Sequence, residues 1–175
     1  MGTAVEEIRG AALDAIAVAL REAFAVARCT LRLDVAGDLF PVVHESRVPP
    51  AHSLIGERRV ELRGQPVIEA LLAGADQIVQ PDTRAASSDP AFLAMLEIYD
   101  GMGAQIVTAV RIDGRLAGVI SLHHLGGRRA WTPGETELAR AAAALVARIL
   151  EEPDDLEDPE DPEDPDRAAP AGGGG

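Results

Sequence analysis

YDGMGAQIVTAVRIDGRLAGVISLHHLGGRRAWTPGETELARAAAALVARIL, residues 99–150, decides the architecture. Two runs rich in β-branched and aliphatic residues flank Asp113-Gly114. That dipeptide is the strongest short-range hairpin signal, because both turn positions need positive φ. The spacing predicts a hairpin over 104–124. The second strand ends in His123-His124. Thr132-Pro133-Gly134-Glu135 then opens an Ala/Leu-rich helix predicted to run from Pro133 to about Glu151.

Working back toward the N-terminus, apolar residues at Val5, Ile8, Ala12, Ile16, Leu20, Phe24 and Ala27 recur every three or four positions. They predict a helix over 4–27, with Thr3 and Glu6 as a capping box. Cys29–Val35 alternates, with Cys29, Leu31, Leu33 and Val35 on one face and Thr30, Arg32 and Asp34 on the other. It reads as a half-buried strand. Gly37-Asp38 turns it into a partner over 39–45. Residues 46–64 read as a loop with a short strand near Arg59–Leu62. A helix follows over 66–72, with Pro66 in its first turn and Gly74 at its end. A short strand covers 77–80, and 81–90 is a loop. Asp89-Pro90 starts a helix to about Tyr99. The fold class is α+β: a central antiparallel sheet, the N- and C-terminal helices packed on one face, and loop and helix segments over the other.

Charge divides the chain in two. Eleven acids and Arg167 give residues 151–175 a net charge of −10, so residues 1–150 carry only −3 of the total −13. EDPEDPEDPD and AAPAGGGG have almost nothing to bury, which predicts disorder over 153–175 beyond a domain over 4–152. A near-neutral domain with an acidic tail is a poor match for nucleic acid, which demands clustered basic residues. No apolar run reaches the roughly 18 residues of a membrane span. The opening MGTAVEEIRG has neither signal-peptide nor myristoylation pattern. The expectation is a soluble cytoplasmic protein without a membrane partner.

The order strand, DG turn, strand, loop and helix resembles the C-terminal half of a GAF domain, the small-molecule sensor module of bacterial signalling proteins. The resemblance covers roughly residues 8–151. It is strongest at GMGAQIVTAVRIDGRLAGVISLHH and RRAWTPGETELARAAAALV. Both segments are similar to phytochrome-type GAF domains, in which a tyrosine shortly precedes Met-Gly and the strand after the turn ends in a histidine pair. The resemblance implies a pocket between the sheet and the segment before the last hairpin, faced by Tyr99, Gln105, Val107 and His123. It departs at the bilin-attachment cysteine, since Ser87–Met102 contains none, and at an Asp-Ile-Pro motif, also missing. Covalent bilin binding is therefore not expected, and no cofactor is implied.

Other candidates have plain structural readings. At most one of His123 and His124 can face a pocket, because neighbours on a strand point to opposite sides. His44 and His52 lie elsewhere, without metal-ligand spacing. Cys29 shares a strand face with Leu31 and Leu33 and reads as a small buried hydrophobe. Thiol-dependent GAF-fold sulfoxide reductases need further cysteines, so that chemistry lacks its second step. Asp82 reads as a turn former, Asp89 as a helix cap and Arg84 as solvated. Leu138, Ala142, Leu145 and Ile149 form a stripe on the last helix, widened by Ala141 and Ala144. The expectation is a non-catalytic sensor that binds a small ligand or a signalling partner and pairs as a homodimer through its terminal helices. A scaffold with a vestigial pocket is the alternative, favoured by the 3% aromatic content.

Overall fold

The computed structural model describes residues 4–33 and 40–151. The expected disordered tail, the Gly37-Asp38 turn and the Thr3 cap lie outside them. The elements are α1 (Ala4–Ala23), β1 (Arg28–Leu33), β2 (Val42–Arg47), α2 (Pro66–Leu72), β3 (Gln77–Gln80), α3 (Thr83–Ala86), α4 (Pro90–Ile98), β4 (Met102–Ile112), β5 (Arg115–Leu125) and α5 (Pro133–Glu151). The five strands form one antiparallel sheet in the order β2-β1-β5-β4-β3. Among the described residues no helix is long and apolar enough to cross a membrane.

The long hairpin follows from its turn. Asp113 and Gly114 sit at φ +50° and +75°, and Ile112 pairs directly with Arg115. That is a two-residue connection whose twist suits the strands. At α5, the Thr132 amide donates to the Glu135 carboxylate (2.7 Å), and the Glu135 amide donates to the Thr132 hydroxyl (3.2 Å). This reciprocal capping box starts the helix. Asp89 caps α4 through the amides of Ala91 and Phe92.

α1 stops at Ala23, four residues short of the predicted end. Ala25 adopts φ +47°, and the amides of Ala25 and Val26 donate to the carbonyls of Glu22 and Arg21. That paired turn closes the helix. The Ala27 amide then donates to the His123 carbonyl, so the chain enters the sheet early and Arg28 becomes a strand residue. β2 begins at Val42, later than the predicted 39, after an irregularity between Leu31 and Arg32. No strand forms at Arg59–Leu62. Leu62 turns inward to the core instead. The loop predicted over 81–90 contains α3, started by Asp82 accepting from the Ala85 amide.

Each sheet face has its own core. Cys29, Leu31, Ile106, Val110, Ile120 and Leu122 meet α1 and α5. Val107, Ala109 and Val119 meet α2, α4 and the loop around Leu54 and Leu62. The helix stripes are those predicted only in part: Leu20 of α1 and Phe24 just beyond it are buried as expected, and the other buried residues are Leu13 and Ala17 of α1 and Ala139, Ala143, Val146 and Ala147 of α5. Leu138 and Leu145 remain 45% and 47% exposed, and Ile8 70%. In α5 the alanine face lies closest to the sheet, because small side chains allow near approach.

One close approach is set by glycine. A Cβ on Gly103 would lie 2.1 Å from the Gly127 carbonyl oxygen and 2.5 Å from its nitrogen. Both are backbone atoms that no rotamer change can move. Gly10, in α1, has nothing within 4 Å of the same position. Gly103→Ala should therefore lower stability by about 1–3 kcal/mol. Gly10→Ala should raise it by roughly 0.5–1 kcal/mol through helix propensity. Urea denaturation of the two variants reads both, and equal behaviour would contradict the packing described.

Candidate functional site

The pocket face of the sheet carries three rows of side chains set by register. Gln105, His123 and Arg28 are aligned across β4, β5 and β1. Val107, Ser121 and Thr30 form the next row, and Ala109, Val119 and Arg32 the third. β1 was predicted to have a solvated polar face. Instead Arg28 is 0% exposed and Arg32 7%, because the α2 and α4 layer covers this side.

A buried guanidinium must be paired, and Arg28 is. Its Nε donates to His123 Nδ1 (3.1 Å). Nη1 donates to the His52 carbonyl (2.7 Å) and to Asp100 Oδ2 (2.9 Å), and Nη2 to the Tyr99 carbonyl (3.3 Å). Asp100 sits at φ +63° between α4 and β4. There it also accepts from the His52 amide and ring. Glu45 fixes the neighbouring loop through Ser53 and the Leu54 amide.

These bonds fix the chemistry of His123. Arginine only donates, so Nδ1 must be the acceptor and the ring proton sits on Nε2. Burial, joined by the charges of Arg28 and Arg32, holds the His123 pKa well below its ordinary value. The imidazole is thus a neutral donor. Its ring stacks on Tyr99, with centroids 5.8 Å apart. The Tyr99 hydroxyl accepts from Arg32 Nη2 (2.7 Å), and Arg32 Nη1 donates to the Phe40 carbonyl (3.1 Å). At Asp100, burial raises the pKa, but bonds from His52 and Arg28 outweigh it and hold the carboxyl low.

Tyr99, Gln105, Val107 and His123, the four residues expected to face a pocket, line one cavity. Arg32, Gln65, Ser121 and apolar side chains from α2, α4 and β5 complete it. The cavity measures about 30 Å³, room for about two waters. Beside it opens a cleft of about 620 Å³ between β2 and residues 56–62. Arg32, Leu62 and Tyr99 line both.

The other candidates lie apart. His124 is half-buried on the opposite side of β5. Asp82 caps α3 and contacts Arg128, Arg84 pairs with Glu97, and Asp89 caps α4. His44 bonds Asp14. No three potential ligands gather into a metal site among the described residues. Cys29 is 1% exposed on the α1 and α5 side, and burial pushes its thiol up to about 12. Its thiolate is scarce at neutral pH, and the sheet separates it from the cavity. Arg28, Arg32, Asp100 and Gln65 escaped the sequence reading. Two arginines at i and i+4 on an otherwise apolar strand were the available signal.

Because His123 is neutral when folded and titrates near pH 6.5 when unfolded, its contribution to stability is complete above that pH and declines below it. Between about pH 6 and 5 it should cost up to roughly 1.4 kcal/mol per pH unit. His123→Gln keeps an acceptor and a donor but cannot titrate. Urea denaturation at both pH values should show a flatter dependence for the variant, and equal slopes would contradict a buried neutral imidazole.

The GAF domain family model matches residues 9–150. No curated protein sequence matches the chain. Among solved structures, the chain resembles the cyanobacteriochrome receptor PixJ, with a TM-score of 0.71, 22% identity, and coverage of 85% of this chain and 98% of that one. The PixJ GAF domain of Thermosynechococcus elongatus in its blue-light-absorbing form gives 0.68 at 22% identity, covering 86% and 91%. A far-red dark-state domain, JSC1_58120g3, described with bound biliverdin, gives 0.64 at 15% identity, covering 75% and 82%. Likeness at these identities speaks for the fold, while the family match spans nearly all of the folded chain: the chain belongs to the GAF domain family.

Proposed function

We propose that this GAF domain is a non-catalytic sensor in a signalling system, binding a small molecule at the cavity and cleft on the polar face of its sheet. The observation that carries this reading is the pocket face itself. A purely structural sheet would bury apolar residues there, yet this one buries Arg28, Arg32, Gln105, Ser121 and His123. Buried polar side chains cost stability unless fully partnered, and their concentration at one cavity is the pattern of a recognition site. Tyr99, Gln105, Val107 and His123 are the proposed contact residues.

The inner cavity alone is too small for a ligand, whereas the outer cleft lies in the usual range of about 300–1,000 Å³. Binding would involve the shared wall of Arg32, Leu62 and Tyr99. Leu62 belongs to an irregular stretch, so its displacement breaks no ladder. A tetrapyrrole of the kind found in JSC1_58120g3 would have no thiol to attach to here, since the sole cysteine faces the other core. The same placement argues against a thiol reductase. The scaffold reading draws support from the small cavity and from exposed Ile8, Val18, Leu138 and Leu145 on the terminal helices. Such a surface suits a homodimer, and pairing is compatible with sensing.

Native mass spectrometry of freshly purified protein reads both proposals. The expected spectrum is a dimer carrying a small-molecule adduct, with the adduct lost in Val107→Phe, which fills the cavity. A bare monomer, or an adduct unaffected by Val107→Phe, would count against the respective part.

A further inference from the structure

Among the described residues, two of the five N–H groups of Arg32 are engaged, by the Phe40 carbonyl and the Tyr99 hydroxyl. No carboxylate pairs with it among the described residues, in contrast to Arg28 with Asp100. It is nonetheless buried and lines both the cavity and the cleft. Two neutral donors stand beside it. The Tyr99 hydroxyl accepts from Arg32 and keeps its own proton to give, and His123 offers Nε2–H. Opposite, Gln65 is 6% exposed and its side-chain oxygen has no hydrogen-bond partner. Gln105 and Ser121 are the other polar residues of the cavity wall, and the rest of it is apolar. At the rim of the cleft, Glu57 is held by Arg59, and exposed Arg58 and Glu61 oppose one another in sign. Among the described residues the unbalanced charge is therefore the interior one.

We infer that the ligand of this pocket is a small organic monocarboxylate with an apolar body, its carboxylate held by Arg32 and the Tyr99 hydroxyl. This rests on the sensor reading and names the ligand class for that site. A guanidinium with free N–H groups is shaped for two-point pairing with a planar carboxylate. A single fixed cation matches a single negative charge. Burying that ion pair completes the partnering of Arg32, which is what would couple occupancy to the conformation of residues 56–62. The Gln65 oxygen takes an N–H or O–H on the ligand body, where one exists.

The test compares acids with neutral and cationic analogues on the full chain by calorimetry. Straight-chain carboxylates of four to ten carbons and phenylacetate are each set against the matching primary amide and amine. Acids should bind at least tenfold more tightly than amides, and amines should not bind. Arg32→Gln should erase the preference by weakening acids tenfold or more while leaving amides unchanged. Tyr99→Phe keeps the ring stack on His123 and should weaken acids alone, by threefold or more. The acid–amide comparison in the unaltered protein needs no variant to fold. Amides or amines binding as tightly as acids would overturn the inference while leaving the sensor reading intact. So would a neutral adduct in the native spectrum with no acid binding. Failure of every compound together with an adduct-free native spectrum would overturn both.

Discussion

Arg28 is the constraint on which the pocket depends. Its guanidinium is fully buried, and a buried cation without partners would cost the fold several kcal/mol. The partners come from three separate places: the end of β5, the corner between α4 and β4, and the loop at His52. Satisfying one side chain therefore fixes three segments against the sheet. The left-handed Asp100, the orientation of Tyr99 and the tautomer of His123 follow from that requirement. Arg32, one row further along, is held by two bonds among the described residues. The same face thus contains a locked arginine that builds the site and a less engaged one, the proposed contact of the ligand.

The two faces of the sheet divide the work. The side toward α1 and α5 holds a largely apolar core of leucine, isoleucine, valine and alanine side chains, and Cys29 belongs to it. Burial there suppresses thiol chemistry. The side toward α2 and α4 tolerates polar groups because register places them where they can meet. Gln105, His123 and Arg28 are brought into one row by strands far apart in sequence. Stability resides in the first face, and the recognition we propose belongs to the second. The outward surface of the terminal helices is a third region, where Ile8, Leu138 and Leu145 remain exposed.

Elements whose determinants are local were legible in the sequence. The Asp113-Gly114 turn, the Thr132–Glu135 box, Pro66 and Asp89-Pro90 each declare themselves within a few residues, and the corresponding elements lie where predicted. What depended on distant partners was not legible. Alternation along β1 distinguishes two faces but cannot show that the polar one is covered, because Arg28 meets His123 and Asp100 across 95 and 72 residues. The helix stripes were legible only in part for a related reason: in α1 and α5, apolar residues surround the axis, and only packing selects the buried side. Tyr99, Gln105, Val107 and His123 came from family resemblance, whereas the arginines that organise them required the register.

The most direct measurement of this account is a proton–nitrogen correlation spectrum of the histidine rings in nitrogen-15-labelled protein, followed through about pH 5 to 8. Arg28 donating to Nδ1 requires His123 to be a neutral Nε2–H tautomer that does not titrate across this range. An Nδ1–H tautomer, or titration near the value of a free imidazole, would show that Arg28 does not organise the pocket.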